Sequence, residues 1–314
     1  MFVRLLALLL LLPWVQAFAA PTPQVGFQYR HLPDGTEIGI WYPAAGQPKH
    51  QHLGLYEQDV VPEAVPVGHD LPLVVISHGH GGAFSGHLDT AAALVQAGFV
   101  VASLTHPGDN WRDESRATHV EDRPKALSGL ITYMLSAWPS HALLDPARIG
   151  AFGFSSGGFT VLAAAGGQPD LSRVMAHCAA HPDFYDCQLV RQHPGPLPGW
   201  SNRRDPRIKA IVVAAPALGY TFGRTGLSGI TVPVQLWRAD DDHVLPAPFY
   251  ADAVHADLPR APEFHDVPGA GHFDFLAPCA APVPICRSAA GFDRAAFHRQ
   301  LDADIVAFFT RVLR

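Results

Sequence analysis

Short apolar runs rich in β-branched residues alternate along this chain with longer stretches in which apolar positions recur every three to four residues. The runs at 73–77, 99–104, 148–152, 208–214, 232–237 and 263–267 predict buried strands. Between them, a helix is predicted from about His87 to a stop at Gly98. Another starts at Asp122 with Pro124 in its first turn. It places Leu127, Leu130, Ile131, Met134, Leu135 and Trp138 on one face. Residues 159–165 read as a buried helix, and a last helix from about Asp293 turns Phe297, Leu301, Ile305, Phe308 and Val312 inward. Strands at 25–30 and 37–41 flank the turn Pro33-Asp34-Gly35 and predict an antiparallel hairpin at the sheet edge. The alternation predicts one α/β domain with eight strands, mostly parallel, and helices on both faces. Two segments fall outside this pattern. Residues 46–70 read as a His- and Pro-containing loop. Residues 168–207 are an insertion, readable as a lid over a site or as a surface excursion held by a disulfide.

The first residues predict export. Arg4 supplies a positive start, Leu5 to Leu12 an apolar core and Ala17-Phe18-Ala19 a cleavage site, so residues 1–19 read as a signal peptide and 20–314 as the mature single domain. The apolar run is too short for a membrane span, and none is predicted later. Formal net charge is −6 with no basic cluster, which argues against a nucleic-acid partner. The four cysteines fall into two local pairs, Cys178 with Cys187 and Cys279 with Cys286. In an oxidising compartment they predict two loop-stapling disulfides, although spacing alone leaves the other pairings open. None of the four sits where a catalytic thiol would be expected.

Chemistry enters at Gly153-Phe154-Ser155-Ser156-Gly157-Gly158, between a predicted strand and a predicted helix. A serine in such a turn, with glycines two residues before and after it, is a nucleophile elbow. A serine hydroxyl needs a base to accept its proton, and the base needs an acid to orient it. The strand at 232–237 runs into Arg238-Ala239-Asp240-Asp241-Asp242-His243-Val244-Leu245-Pro246. The strand at 263–267 runs into Pro268-Gly269-Ala270-Gly271-His272-Phe273. An acid and a histidine thus follow the serine at two successive strand ends. The Gly-Ala-Gly tripeptide lets the second loop fold back and deliver His272. After the strand at 73–77 comes His78-Gly79-His80-Gly81-Gly82. Its glycines are better explained by bare backbone beside an oxyanion than by a metal site at His78 and His80, and no metal is expected.

The chain resembles the α/β-hydrolase superfamily, and more narrowly the bacterial branch called predicted dienelactone hydrolases, related to platelet-activating factor acetylhydrolases. The resemblance runs across nearly all of the mature chain. Besides the elbow it rests on Ser77-His78-Gly79, His106-Pro107-Gly108-Asp109-Asn110, Asp122-Arg123-Pro124, Asp145-Pro146-Ala147-Arg148-Ile149-Gly150, Ala270-Gly271-His272-Phe273 and Gly291-Phe292-Asp293-Arg294. It implies Ser155 as nucleophile, His272 as base, an acid on a strand-end loop, and backbone N–H groups of His80 and Ser156 as the oxyanion hole. Two departures matter. Dienelactone hydrolases proper use cysteine where this chain has Ser155. The plasma acetylhydrolases carry their acid where this chain has Ala214-Ala215-Pro216-Ala217-Leu218-Gly219, with no carboxylate. The acid is then expected after residues 232–237. Asp242, four residues before Pro246, is the candidate, with Asp240 and Asp241 as alternatives. His106, Asp109, Asn110 and Trp111 are candidate wall residues, and Asp274 a loop-structuring one. The expected activity is hydrolysis of a small-molecule or lipid carboxylic ester, without metal or organic cofactor, by a secreted or periplasmic protein. A lipid acetylhydrolase, a secreted peptidase and a non-catalytic binding protein on the same scaffold are the alternatives.

Overall fold

The computed structural model describes residues 23–195, 197, 199–279 and 283–313. The predicted signal peptide lies outside them. The strands are β1 (Gln24–His31), β2 (Glu37–Ala44), β3 (Lys49–Leu53), β4 (Tyr56–Pro62), β5 (Leu71–Ser77), β6 (Val100–Leu104), β7 (Leu144–Phe154), β8 (Ile208–Ala214), β9 (Val234–Ala239) and β10 (Glu263–Val267). They form one sheet in the order β10-β9-β8-β7-β5-β6-β2-β1-β4-β3. The block from β6 through β5 to β10 is parallel, and β2 joins β6 antiparallel. The helices are α1 (Leu88–Gln96), α2 (Asp122–Ser136), α3 (Ser156–Ala164), α4 (Arg173–Ala180), α5 (Tyr185–Gln192), α6 (Gly223–Leu227), α7 (Ala251–Asp257) and α8 (Arg294–Val312).

The parallel sheet and the long helices lie where the pattern predicts them. The β1–β2 hairpin forms as predicted but is not the sheet edge, because β4 pairs with β1 and β3 lies outermost. The strand count differs. The segment read as a loop at 46–70 contains β3 and β4, so among the described residues the sheet has ten strands rather than eight. In β4, Tyr56, Gln58 and Val60 are buried while Glu57 and Asp59 are exposed. That is a strand alternation carried partly by a glutamine, whose amide oxygen accepts from Trp41 Nε1 at 2.8 Å. In β3 the outward residues are histidines set opposite acids, His50 against Asp59 and His52 against Glu57. Polar cross-strand pairs stabilise a pair of strands without leaving the apolar run that marks a strand in sequence.

Two apolar layers cover the sheet. On one face α2, α3 and α7 pack Leu127, Ile131, Phe159, Leu162 and Val254 against β5, β7 and β8. On the other, α1 and α8 bring Leu94, Leu301, Ile305 and Phe309 onto Val74, Phe152 and Val212. Gly150 lets α8 come close, since a Cβ there would lie 2.5 Å from the Phe309 ring.

The chain runs from β5 out to β6, then back past β5 to β7. The strand order therefore reverses between β5 and β7, and their carboxyl ends open a crevice. The insertion at 168–207 carries α4 and α5, joined by the Cys178–Cys187 disulfide, and roofs that crevice. No helix among the described residues is long and apolar enough to cross a membrane.

Candidate active site

The turn from β7 into α3 is as tight as its glycines imply. A Cβ on Gly153 would sit 2.0 Å from the Gly157 oxygen, and one on Gly157 would sit 1.8 Å from the Ser77 oxygen. No side chain fits at either place. The strain falls on Ser155, whose φ of 55° and ψ of −119° are rare for a residue with a side chain. The backbone around it is held by Ser155 N–H donating to the Ala214 oxygen and Ala217 N–H donating to the Ser155 oxygen, both at 2.9 Å.

His272 reaches the serine from the loop after β10. Its Nδ1 lies 2.7 Å from Asp242 Oδ2 and its Nε2 lies 3.0 Å from Ser155 Oγ. A carboxylate only accepts, so Nδ1 carries the proton and Nε2 is left to accept from the serine hydroxyl. The other Asp242 oxygen accepts from Val244 N–H at 2.9 Å and Leu245 N–H at 2.7 Å. Burial pushes the Asp242 carboxyl up, but the adjoining imidazole and the two backbone donors outweigh it and hold it below the usual carboxylate range. Asp240 and Asp241 are not at the imidazole. Asp240 accepts from Arg238 at 2.8 Å, and Asp241 lies 3.2 Å from the exposed His243.

Asp274 structures the turn that carries His272. One of its carboxylate oxygens accepts from Gly271 N–H at 2.8 Å; the other accepts from Ser288 Oγ and from Arg294 Nε at 3.0 Å. Arg294 also holds the Ile285 carbonyl, next to Cys286. The Cys279–Cys286 disulfide therefore staples a segment tied directly to the His272 turn. Both disulfides close short loops, and the chain-entropy model gives each about 2.5 kcal/mol. Reduction is expected to lower activity before it unfolds the core, with Cys279–Cys286 dominating the effect. Activity and near-ultraviolet circular dichroism followed together through a reductant titration check this; unchanged activity after full reduction contradicts it.

His80 lies on the loop after β5, and Ser156 opens α3. Both line one cavity with Ser155. The Gly79 Cα faces Ser155, with a Cβ there falling 3.2 Å from the serine's own Cβ. Both backbone amides thus come from segments packed against the serine, and the Ser156 amide lies at a helix N-terminus, where partial positive charge gathers. The His78 ring is occupied by backbone. Its Nε2 accepts from His106 N–H at 2.9 Å and its Nδ1 donates to the Gly79 oxygen at 2.5 Å. Burial, then the Arg123 charge, lower it to about 3, so it is neutral. His80 turns Nδ1 to Asp109 at 2.5 Å.

Of the four candidate wall residues, only Trp111 borders open space. It is 60% exposed, with the Arg112 guanidinium 4.4 Å above its ring. His106 bonds Ser77 at 2.8 Å, and Asn110 braces its own loop through the His106 oxygen and Arg112 N–H.

Two cavities flank the elbow, the smaller lined by Ser155 itself and the larger by Phe154 beside it. The smaller, of about 50 Å³, lies under the insertion and is lined by Val120, Leu171, Val174, Leu189, Leu218 and Leu245. The larger, of about 950 Å³, lies on the His272 side and is walled by Phe27, Tyr29, Phe84, Trp111, Phe273 and Leu276. His80 and Tyr185 border both, their rings 6.0 Å apart. Sequence reasoning singles out neither Tyr185 nor the buried Arg123, whose guanidinium lies 2.5 Å from Asp109. Tyr185 belongs to an insertion whose path no local pattern fixes. Arg123 could have been singled out, because a lone arginine on the first turn of an amphipathic helix is a candidate for burial against an acid.

No protein-family model and no curated protein matches the sequence. Among solved structures the chain is similar to a ferulic acid esterase from Streptomyces cinnamoneus. The match covers 96% of this chain and 93% of that one, at a TM-score of 0.63 and 19% identity. The fold is that of an α/β-hydrolase, and the narrower dienelactone hydrolase or acetylhydrolase branch expected from sequence is not resolved by this likeness.

Proposed function

We propose that the protein is an exported serine hydrolase that cleaves carboxylic esters. The observation that carries this is the continuous chain from Asp242 Oδ2 to His272 Nδ1 at 2.7 Å and from His272 Nε2 to Ser155 Oγ at 3.0 Å. His272 takes the Ser155 proton as Oγ attacks the ester carbonyl. The N–H groups of His80 and Ser156 hold the oxyanion. His272 then protonates the leaving alcohol, and water repeats the sequence on the acyl-enzyme while Asp242 stabilises the imidazolium. The similar solved structure is by name a ferulic acid esterase, which is consistent with this chemistry. Two disulfides fit an oxidising compartment, and with the predicted signal peptide they support export.

The two cavities divide the substrate. The leaving oxygen must lie beside His272 Nε2, and Phe273 and Leu276 of that turn face the larger cavity, so the alcohol sits there. The acyl group then points under the insertion. About 50 Å³ is small beside the roughly 150 Å³ of an apolar cavity that holds benzene. Acyl groups of two to four carbons fit it. The mostly apolar walls of the larger cavity suit a bulky or amphiphilic alcohol, which keeps an acetylhydrolase acting on a lipid as the second reading.

In a p-nitrophenyl series, kcat/KM is expected to peak between acetate and butyrate and fall at least tenfold by octanoate, as each unaccommodated methylene forfeits burial. A rise toward octanoate contradicts the acyl assignment, and no turnover of any ester contradicts the function.

A further inference from the structure

We propose that Arg123, with Asp109, is a positioning clamp for the oxyanion hole, an inference that rests on the ester-hydrolase reading above. Arg123 lies in the first turn of α2 and is 2% exposed, and Asp109 is 3% exposed. A buried arginine must place its donors on acceptors, because each one left unpaired inside the protein is costly. Here each guanidinium nitrogen reaches a segment that carries an oxyanion amide, directly or through Asp109 or Thr160. Nη2 donates to the His78 carbonyl, two residues before the His80 amide. Nη1 donates to Asp109 Oδ2 at 2.5 Å, and Asp109 Oδ1 holds the His80 ring at 2.5 Å and Gly81 N–H at 3.4 Å. Nε donates to Thr160 Oγ1 at 3.1 Å, and that hydroxyl donates to the Ser156 carbonyl at 2.8 Å.

One planar guanidinium therefore braces both halves of the hole. The loop after β5 is held through His78 and Asp109, and the first turn of α3 through Thr160. The two amides come from segments far apart in sequence, whose strands pair only as far as Ser77 and Gly153, and the guanidinium ties together the turns beyond that pairing. An oxyanion donor acts only when it is aimed at the position the oxygen takes in the transition state. A brace that touches both segments but not the substrate should then affect the transition state and leave ground-state binding nearly alone. This gives a role to two motifs otherwise left without one, Asp122-Arg123-Pro124 and Gly108-Asp109-Asn110.

Arg123→Lys keeps the buried charge but cannot reach three acceptors from one nitrogen. It is expected to lower kcat about 100-fold while KM stays within about threefold, the pattern of a lost transition-state contact. Affinity for a trifluoromethyl ketone, which forms an oxyanion on Ser155, should fall by a similar factor, as should the rate of Ser155 labelling by a fluorophosphonate. If Arg123→Lys does not fold by circular dichroism, Thr160→Val cuts only the link to α3 and should give about a tenfold fall in the same three readouts. A folded variant with unchanged kcat, ketone affinity and labelling rate overturns the clamp. So does a rise in KM with kcat unchanged. Wild-type protein that labels at Ser155 while the variant labels equally fast overturns the clamp alone; wild-type protein that neither labels nor turns over any ester overturns the function with it.

Discussion

Ser155→Ala is expected to abolish ester hydrolysis, with a fall in kcat on the order of 10⁶-fold, in a protein that stays folded. The loss follows from chemistry, since alanine leaves His272 with no hydroxyl to deprotonate and no acyl-enzyme can form. Retention of the fold follows from the turn. Alanine meets the same positive φ that serine already tolerates, and the bonds that hold the elbow run through the Ser155 backbone, to Ala214 and Ala217. The sterically closed positions are Gly153 and Gly157, which the change leaves alone. The check is kcat on a short p-nitrophenyl ester together with the thermal midpoint. Turnover within tenfold of wild type in the folded variant removes Ser155 from the mechanism.

Asp242→Asn is expected to lower kcat about 10⁴-fold, as loss of the acid does in a serine–histidine pair of this kind. The asparagine oxygen can keep the two bonds from Val244 and Leu245 N–H, so the loop stays in place. Its amide nitrogen then faces His272 Nδ1 and donates where the carboxylate accepted. That fixes the imidazole in the tautomer whose Nε2 carries hydrogen, and the serine loses its proton acceptor. The same change at Asp240 or Asp241 should cost less than tenfold, because their partners are Arg238 and His243 rather than the base. Parallel kcat values for the three variants decide the register of the Asp-Asp-Asp run. A larger loss at Asp240 or Asp241 contradicts the geometry of that loop.

The sheet and the elbow were legible because their signals are local. A β-branched run, a glycine forced by a neighbouring carbonyl, and a Gly-Ala-Gly before a histidine each speak within a few residues. The choice of Asp242 among three adjacent aspartates rested on its distance to Pro246, and the structure brings that residue to His272. β3 and β4 were missed because their inward and outward positions hold glutamine and histidine beside Tyr56 and Val60, so the alternation carries little hydropathy contrast. Tyr185 and the cavity under the insertion depend on how residues 168–207 fold back over the elbow, a tertiary outcome with no periodic signature. Arg123 and Asp109 stood in recognisable motifs, but the three acceptors that give the arginine its place lie on the loops after β5 and β6 and inside α3. Only the assembled crevice brings those acceptors together.

The central claim is that Ser155 is a nucleophile activated by His272. The most direct test is covalent labelling of the intact wild-type protein with a fluorophosphonate, read by whole-protein mass and by peptide mapping. The account predicts one adduct per chain, on Ser155, formed together with complete loss of esterase activity and absent from Ser155→Ala. An adduct on any other residue, or full activity remaining after stoichiometric labelling, would contradict it.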